Sequence, residues 1–263
     1  AIDGLSKQRI DTPYIKENNQ LITTDWNHAL NKIISEINSR NKDQTTAISG
    51  KFTDVETLYA TKSFLESLGS VNYECRYDNA QFISGSKDSY LFNSSIQEVD
   101  NADAILLVGT NPRWEASVLN ARIRKTYINN NCKIGLIGEK INLNYKYDQI
   151  SENIMSLNEI LNEKNKFSKI MLNAKNPIII VGTSAINHAA GKDVLEVCAE
   201  IAKKLPNANT EFNPLNILNQ DISRVGALEI NFYNSFFNEN YYENIFKKIN
   251  ETKPVVFLLG LDE

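Results

Sequence analysis

The chain has 263 residues, of which 42% are hydrophobic, and a formal net charge of −4 at neutral pH. A chain of this length can bury one substantial core or two smaller ones. The acidic balance lacks the basic surface typical of nucleic-acid-binding proteins, so no nucleic-acid partner is expected. The longest apolar runs, Ile178–Val181 and Val255–Leu259, are far shorter than the roughly 20 residues of a membrane helix, so direct membrane insertion is not expected.

The first part of the chain is predicted to be an extended lead-in over residues 1–23, followed by helices and strands. Thr53 and Glu56 have the spacing of a capping box, in which each side chain satisfies a free N–H at a helix start. Gly69 suits the left-handed position that ends this helix. Residues 78–95 are polar and predict no regular element. The predicted elements are a helix Asp25–Ser39, a strand Thr45–Ser49, a helix from Thr53 to Gly69 and a strand Val71–Cys75.

Both of these helices have apolar residues at helical spacing, which predicts that one face of each is buried. The first stripe consists of Ala29, Ile33, Ile34 and Ile37, and the second of Val55, Leu58, Tyr59, Leu65 and Leu68.

The clearest unit begins with Ala104–Val108, a fully apolar strand. The turn that follows contains Asn111, which can cap a helix, and Pro112, which suits the first helical position because proline lacks a donor that would be free there anyway. The helix is predicted to continue to Asn130, and Lys133–Ile137 is the next strand. A strand, a helix and a strand in this order predict a right-handed parallel crossover and therefore a doubly wound α/β architecture.

A second copy of this theme is predicted after a polar stretch at residues 140–166. It has a strand over Ile178–Val181, helices near 190–205 and 242–250, and a buried final strand over Val255–Leu259. The helix near 190–205 places Val194, Val197, Cys198, Ile201 and Leu205 on one face. We therefore predict two domains, residues 1–150 with the lead-in and residues 151–263. The second is expected to be truncated at its C-terminus, because a buried strand needs cover on both faces.

The residues with catalytic or metal-binding chemistry are few and scattered. Cys75, Cys132 and Cys198 form no Cys-x-x-Cys pair, and the two histidines, His28 and His188, lie far apart in the sequence. A zinc or iron–sulfur site needs about four soft ligands, usually in closely spaced pairs. Ser184 follows Gly182 and Thr183 after a strand, as in the Gly-x-Ser-x-Gly nucleophile elbow, but Ile186 stands in place of the final glycine. We therefore predict no catalytic residue, no metal site and buried, unreactive thiols.

The loop Gly109–Arg113 is the one candidate ligand site. Ligands of parallel sheets bind at the carboxyl ends of strands, and Arg113 could hold a phosphate or carboxylate. No glycine-rich nucleotide motif is present, so an ordinary capped turn is favoured over a phosphate site. A basic cluster is also predicted nearby, either as a solvated helix face or as an interface patch for an acidic neighbour, and it consists of Arg113, Arg122, Arg124 and Lys125.

Four segments resemble, in the same order, the large iron–sulfur (G-type) subunit of respiratory complex I, the NADH:quinone oxidoreductase. They are DGLSKQR (Asp3–Arg9), AILLVGTNPRWEASVLNARIRK (Ala104–Lys125), NILNQDISRVGALEI (Asn216–Ile230) and LLGLDE (Leu258–Glu263). The resemblance implies two Rossmann-like domains similar in fold to molybdopterin oxidoreductases. It further implies a non-catalytic scaffold for electron transfer from NADH to quinone, with other peripheral-arm subunits as partners.

The same resemblance bears on cofactors. In molybdopterin enzymes a loop of this type contacts the pterin dinucleotide, and Gly109, Asn111 and Pro112 match it. No counterpart of a metal-ligating Cys or Ser is found, so this loop with Arg113 is expected to be vestigial. The 2Fe–2S and 4Fe–4S clusters of such a subunit would lie in an N-terminal region outside this chain. The location would be peripheral, on the cytoplasmic face of a bacterial inner membrane or the matrix side of the mitochondrial one. Alternatives are an active molybdopterin-dependent oxidoreductase domain and a small-nucleotide-binding module.

Overall fold

A computed structural model of the chain describes residue 4 and residues 10–206, 212–233 and 241–261. Most of the Asp3–Arg9 segment and the last two residues of the chain lie outside these ranges. The strands are β1 (Tyr14–Glu17), β2 (Gln20–Thr23), β3 (Thr46–Ser49), β4 (Asn72–Glu74), β5 (Ala104–Val108), β6 (Lys133–Ile137), β7 (Asp148–Ser151), β8 (Pro177–Gly182), β9 (Leu215–Leu218) and β10 (Val256–Leu259).

The helices in the same ranges connect these strands. They are α1 (Trp26–Asn38), α2 (Val55–Ser67), α3 (Ile96–Asp100), α4 (Pro112–Glu115), α5 (Ser117–Asn130), α6 (Leu157–Leu161), α7 (Lys166–Asn173), α8 (Thr183–Ile186), α9 (Gly191–Lys204), α10 (Ile222–Glu229) and α11 (Tyr241–Thr252). None of the described helices is long and apolar enough to cross a lipid bilayer.

The main sheet has five parallel strands in the order β7-β6-β5-β8-β9. The central strand β5 is buried at all five positions, because helices cover both faces of the sheet and its run of apolar residues fills both cores. One core contains Leu106 and Val108, and the opposite core contains Ile105 and Leu107. This sheet confirms the predicted doubly wound α/β architecture.

A second, smaller sheet has three parallel strands in the order β10-β3-β4. The backbones of β3 and β10 leave their sheet so close together that a Cβ on Gly50 would lie 2.0 Å from the carbonyl oxygen of Gly260. The prediction that the last strand is buried on both faces is wrong. Leu258 in β10 is 60% exposed because β10 is the edge of this sheet rather than an interior strand.

The predicted division at residue 150 does not match the sheets. Strands β5 and β6 lie on one side of that position in the sequence and β8 and β9 on the other, yet all four belong to one sheet. Likewise β10, the last strand of the chain, pairs with β3 from its first part. Chain order alone misleads here, because a parallel crossover can return a strand beside any earlier one.

The irregular segment 78–95 and the lead-in both contain structure that the sequence prediction missed. Residues 91–94 run antiparallel beside β9, where the N–H of Ile217 donates to the carbonyl of Leu91 at 2.9 Å. In the lead-in, β1 and β2 form a hairpin whose turn residues Asn18 and Asn19 both have positive φ. Asparagine tolerates this left-handed backbone, which a two-residue hairpin turn requires.

The start of α2 differs from the predicted capping box. The carboxylate of Asp54 accepts from the N–H of Thr57 at 2.7 Å, so Asp54 caps the helix. The hydroxyl of Thr53 instead donates to the carbonyl of Leu259 at 2.8 Å and so ties the helix start to β10.

The predicted apolar stripes are partly correct. The buried positions are Ala29 and Ile37 in α1 and Leu58 and Leu65 in α2, whereas Tyr59 of α2 is 63% exposed. In α9 the predicted face is buried almost completely. The α9 stripe succeeds because that helix packs on the main sheet, whereas α1 and α2 leave part of their apolar surface uncovered.

The central strand gives a direct test of where the stability lies. Leu106→Ala should lower the free energy of unfolding by about 2–5 kcal/mol, because it leaves a cavity in a fully packed core. Leu258→Ala, the same change on the exposed edge strand β10, should cost less than about 1 kcal/mol. Urea denaturation of both variants measures the difference, and equal losses would contradict this description of the core.

Candidate functional site

The loop Gly109–Arg113 lies at the carboxyl end of β5, where the strand order of the main sheet reverses. From β5 the chain proceeds to β6 and β7 on one side, and then to β8 and β9 on the other. Two neighbouring loops diverge at such a switch point, and parallel sheets use the resulting crevice for ligands. The structure therefore places the predicted loop at the position where the fold makes a ligand site possible.

The crevice at this switch point is filled by the chain's own atoms. A Cβ on Gly109 would lie 2.6 Å from the Cβ of Ala185, and a Cβ on Gly182 would lie 2.4 Å from the Cβ of Thr110. The hydroxyl of Ser184, in the short helix α8, donates to the carbonyl of Gly109. Glycine is required at these positions because the loops after β5 and β8 pack directly against each other.

Glu115 holds the loop in place. The prediction that the side chain of Asn111 caps the helix is wrong, because that side chain makes no capping hydrogen bond. One carboxylate oxygen of Glu115 accepts from the N–H of Asn111 at 2.9 Å, and the other accepts from the hydroxyl of Thr110 at 2.7 Å. Pro112 does occupy the first turn of α4. The side-chain oxygen of Asn111 is buried and has no hydrogen-bond partner among the described residues.

The predicted basic cluster is used mainly within the chain. Arg122 and Lys125 both pair with the carboxylate of Asp100, at 2.7 and 2.9 Å. The hydrogen bond from Lys125 and the charge of Arg122 lower the pKa of Asp100. Arg113 donates to the carbonyl of Asn142 at 3.0 Å, in the loop between β6 and β7. Arg113 is therefore not directed at a ligand over the Gly109 turn.

The three cysteines lie in three different apolar clusters. Cys198 is in the core on one face of the main sheet, Cys132 in the core on its other face, and Cys75 beside the small sheet. Burial raises the pKa of each thiol to about 12, so the reactive thiolate is scarce at neutral pH. Among the described residues, no group of three His, Cys, Asp or Glu side chains is arranged to hold a metal ion.

A buried charge cluster joins the two parallel sheets, and the sequence prediction did not find it. Arg224 in α10 donates to Asp78 at 2.7 Å and to Asp221 at 2.6 Å. The amide of Asn187, which follows α8, donates to the other oxygen of Asp78 at 3.1 Å. The segments after β4 and β9 therefore meet on one guanidinium, and the segment after β8 joins them through Asp78. Burial opposes the charge of Arg224, but Asp78 and Asp221 outweigh it and raise its pKa above the usual range.

A second buried ion pair lies next to this cluster. The guanidinium of Arg76 binds both oxygens of Glu74 at 2.7 Å, and the same carboxylate accepts from two backbone N–H groups. The guanidinium also lies over the rings of Phe82 and Tyr233, about 5 Å from each ring centre. The backbone contacts and the rings replace the water that this charge pair loses on burial.

The family of the chain follows from a match along nearly its whole length. A sequence model of the family named molybdopterin oxidoreductase matches residues 9–263. The chain belongs to the molybdopterin oxidoreductase family. The doubly wound parallel sheet agrees with this assignment.

Curated relatives within this family are similar over the full chain. The G-type subunit of NADH-quinone oxidoreductase from Rickettsia bellii (strain RML369-C) is 33% identical over 263 residues, which is 100% of this chain and 37% of that protein. The mitochondrial NADH-ubiquinone oxidoreductase 78 kDa subunit of Candida albicans is 34% identical over 100% of this chain and 35% of its own length. The NADH-ubiquinone oxidoreductase 75 kDa subunit of Reclinomonas americana is 31% identical over 99% of this chain and 39% of its own length.

These relatives confirm the resemblance that the four sequence segments indicated. The chain spans a little over one third of the length of the curated relatives that it matches.

The charge cluster at Arg224 gives a second stability test. Arg224→Met should cost about 3–5 kcal/mol of unfolding free energy, because it leaves the partly buried carboxylates of Asp78 and Asp221 without their cation. Arg124→Met is the matched control, since Arg124 is exposed and makes one long contact, and it should cost less than about 0.5 kcal/mol. Chemical denaturation distinguishes the two. A loss for Arg224→Met as small as that of the control would show that this cluster is not a stabilising contact.

The buried thiols predict a pH dependence. A cysteine thiol has a pKa near 8.5 in the unfolded chain and about 12 in the folded chain. Each buried thiol therefore makes its full contribution to the unfolding free energy below about pH 8.5. That contribution is lost as the pH rises toward 12, because the unfolded chain releases the thiol proton first. Between about pH 8 and pH 10 the unfolding free energy of Cys198→Ala should fall by about 2 kcal/mol less than that of the unchanged chain. Denaturation at both pH values tests this, and identical pH dependences would contradict it.

Proposed function

We propose that this chain is a structural segment of the G-type subunit of NADH-quinone oxidoreductase, respiratory complex I. The observation that carries this proposal is the similarity, along the whole chain, to subunits of that oxidoreductase from bacteria and mitochondria. On this proposal the parent complex oxidises NADH and reduces a quinone, and this segment contributes shape rather than chemistry.

The contacts at the Gly109–Arg113 loop support a scaffold role. Ser184 and Ala185 occupy the space beside Gly109, and Glu115 accepts hydrogen bonds from two groups of the loop that could otherwise face a ligand. Arg113 is turned toward the loop after β6. These residues do not fit a pterin dinucleotide at this position, so we assign the loop as vestigial and no reaction step to it.

The cofactors and partners follow from the same proposal. The 2Fe–2S and 4Fe–4S clusters would be held by parts of the subunit outside this chain, since the described cysteines here lie in separate cores. The partners would be other subunits of the peripheral arm. The complex would hold the segment at the cytoplasmic face of a bacterial inner membrane or the matrix side of a mitochondrial one.

The test separates assembly from chemistry in complex I that contains the full-length subunit. Asn111→Ala and Arg113→Ala should leave NADH:quinone turnover per assembled complex within about twofold of the unchanged protein, because the loop does not touch a reacting group. Arg224→Met should reduce the amount of assembled complex while the turnover of each complex that does assemble stays within the same range.

Elemental analysis of the same complex addresses the competing function, an active molybdopterin-dependent oxidoreductase domain. Molybdenum and tungsten should be far below one atom per complex. Stoichiometric molybdenum or tungsten, or a tenfold loss of turnover for Asn111→Ala at normal assembly, would overturn the scaffold proposal.

A further inference from the structure

A cleft of about 670 Å³ opens beside β6, along the loop that leads from β6 to β7. Strand β7 begins opposite Gly135, so the first two residues of β6 have no strand neighbour on that side. The loop that returns to β7 and the last turns of α5 form the other walls. We call this the tyrosine–lysine cleft, after the tyrosines and lysines in its lining, which are Tyr127, Lys133, Lys140, Tyr145, Lys146 and Tyr147.

The aromatic walls of the cleft are held in fixed positions by the chain itself. The hydroxyl of Tyr145 donates to the amide oxygen of Asn120 at 2.7 Å. The hydroxyl of Tyr147 donates to the carbonyl of Ile141 and accepts a hydrogen bond from the N–H of Ile141. The rings of Tyr127 and Tyr145 are 5.9 Å apart. Tyr145 itself is buried in the core, whereas Tyr127 and Tyr147 are partly buried and keep ring surface at the cleft.

The charge of the cleft is positive although the whole chain is acidic. Three lysines line it against one carboxylate, that of Asp148, which leaves a net charge of +2. Among the described residues, the ammonium group of Lys133 donates to the amide oxygen of Asn131, at 3.3 Å, and to no carboxylate. Lys140 and Lys146 are exposed and have no ionic or hydrogen-bonding partner among the residues the structure describes. Arg122 and Lys125, in contrast, are both paired with the carboxylate of Asp100.

The floor of the cleft is apolar and stays neutral. It is formed by Ile134 and by Cys132, whose pKa is raised to about 12 by burial, so that no thiolate opposes a bound anion. The cleft therefore combines an apolar floor, ring walls and unpaired ammonium groups. Its volume lies in the range of roughly 300–1,000 Å³ that small-molecule sites occupy.

We propose that the tyrosine–lysine cleft binds a small anion that carries a planar aromatic ring, the class to which nucleoside phosphates belong. The ring would lie against the tyrosine walls, since flat π-systems stack on aromatic side chains. The anionic group would be held by Lys140 and Lys146, because lysine ammonium groups bind phosphates as point charges without a glycine-rich loop. Its lining shares no residue with the Gly109–Arg113 loop, and the site is independent of the scaffold role.

Calorimetric titration of the full chain with ADP tests the proposal. ADP should bind with a dissociation constant between about 10 µM and 1 mM, and adenosine and inorganic phosphate should each bind at least about tenfold more weakly, since each has only half of the required chemistry. The double substitution Lys140→Ala/Lys146→Ala should weaken ADP binding at least about tenfold. The matched control Lys164→Ala/Lys166→Ala removes two charges elsewhere on the surface and should change it by less than about twofold.

Tyr127→Leu provides the corresponding test of the ring wall. It keeps an apolar side chain but removes the π-surface, so ADP affinity should fall toward that of phosphate alone. Three outcomes would overturn the proposal: no ADP binding at about 5 mM, equal weakening by the two lysine pairs, or phosphate binding as tightly as ADP. An unchanged urea midpoint of each variant shows that the fold is retained.

Discussion

The structure depends on the burial of one cation, the guanidinium of Arg224. A buried charge is tolerated only when its partners satisfy it, and here the partners come from different elements: Asp78 follows β4 of the small sheet, and Asp221 follows β9 of the main sheet. Asn187, which follows β8, bonds the same Asp78. The two sheets must therefore meet in a single relative position, because any other would leave these charges unpaired away from water.

The carboxyl ends of the strands are also crowded. Gly50 and Gly260 bring β3 and β10 into backbone contact, and Gly109 and Gly182 do the same for β5 and β8. In a ligand-binding relative of such a fold, the same edges would have to leave room for a cofactor. In this chain they are occupied by side chains and hydrogen bonds.

Much of the secondary structure could be predicted, because apolar runs and turn residues act locally. Strands β5 and β6 begin and end where the sequence indicated, and the predicted face of α9 is buried. The hairpin at Asn18 and Asn19 and the strand pairing of residues 91–94 were missed, since neither has a run of apolar residues. At the candidate site the loop position was predicted, but the hydrogen bonds of Glu115 and the direction of Arg113 were not.

Local patterns of residues were sufficient for the fold class and the family resemblance, because parallel strands buried on both faces must be continuously apolar and because four segments carried the family's residues in order. The neighbours of each strand, in contrast, became known from the folded chain, which has two interleaved sheets in place of two successive domains. The folded chain also shows which polar residues act together, as in the pairing of Arg224 with Asp78 across 146 positions of the sequence. Such contacts depend on distance in space, and no local pattern of residues records that distance.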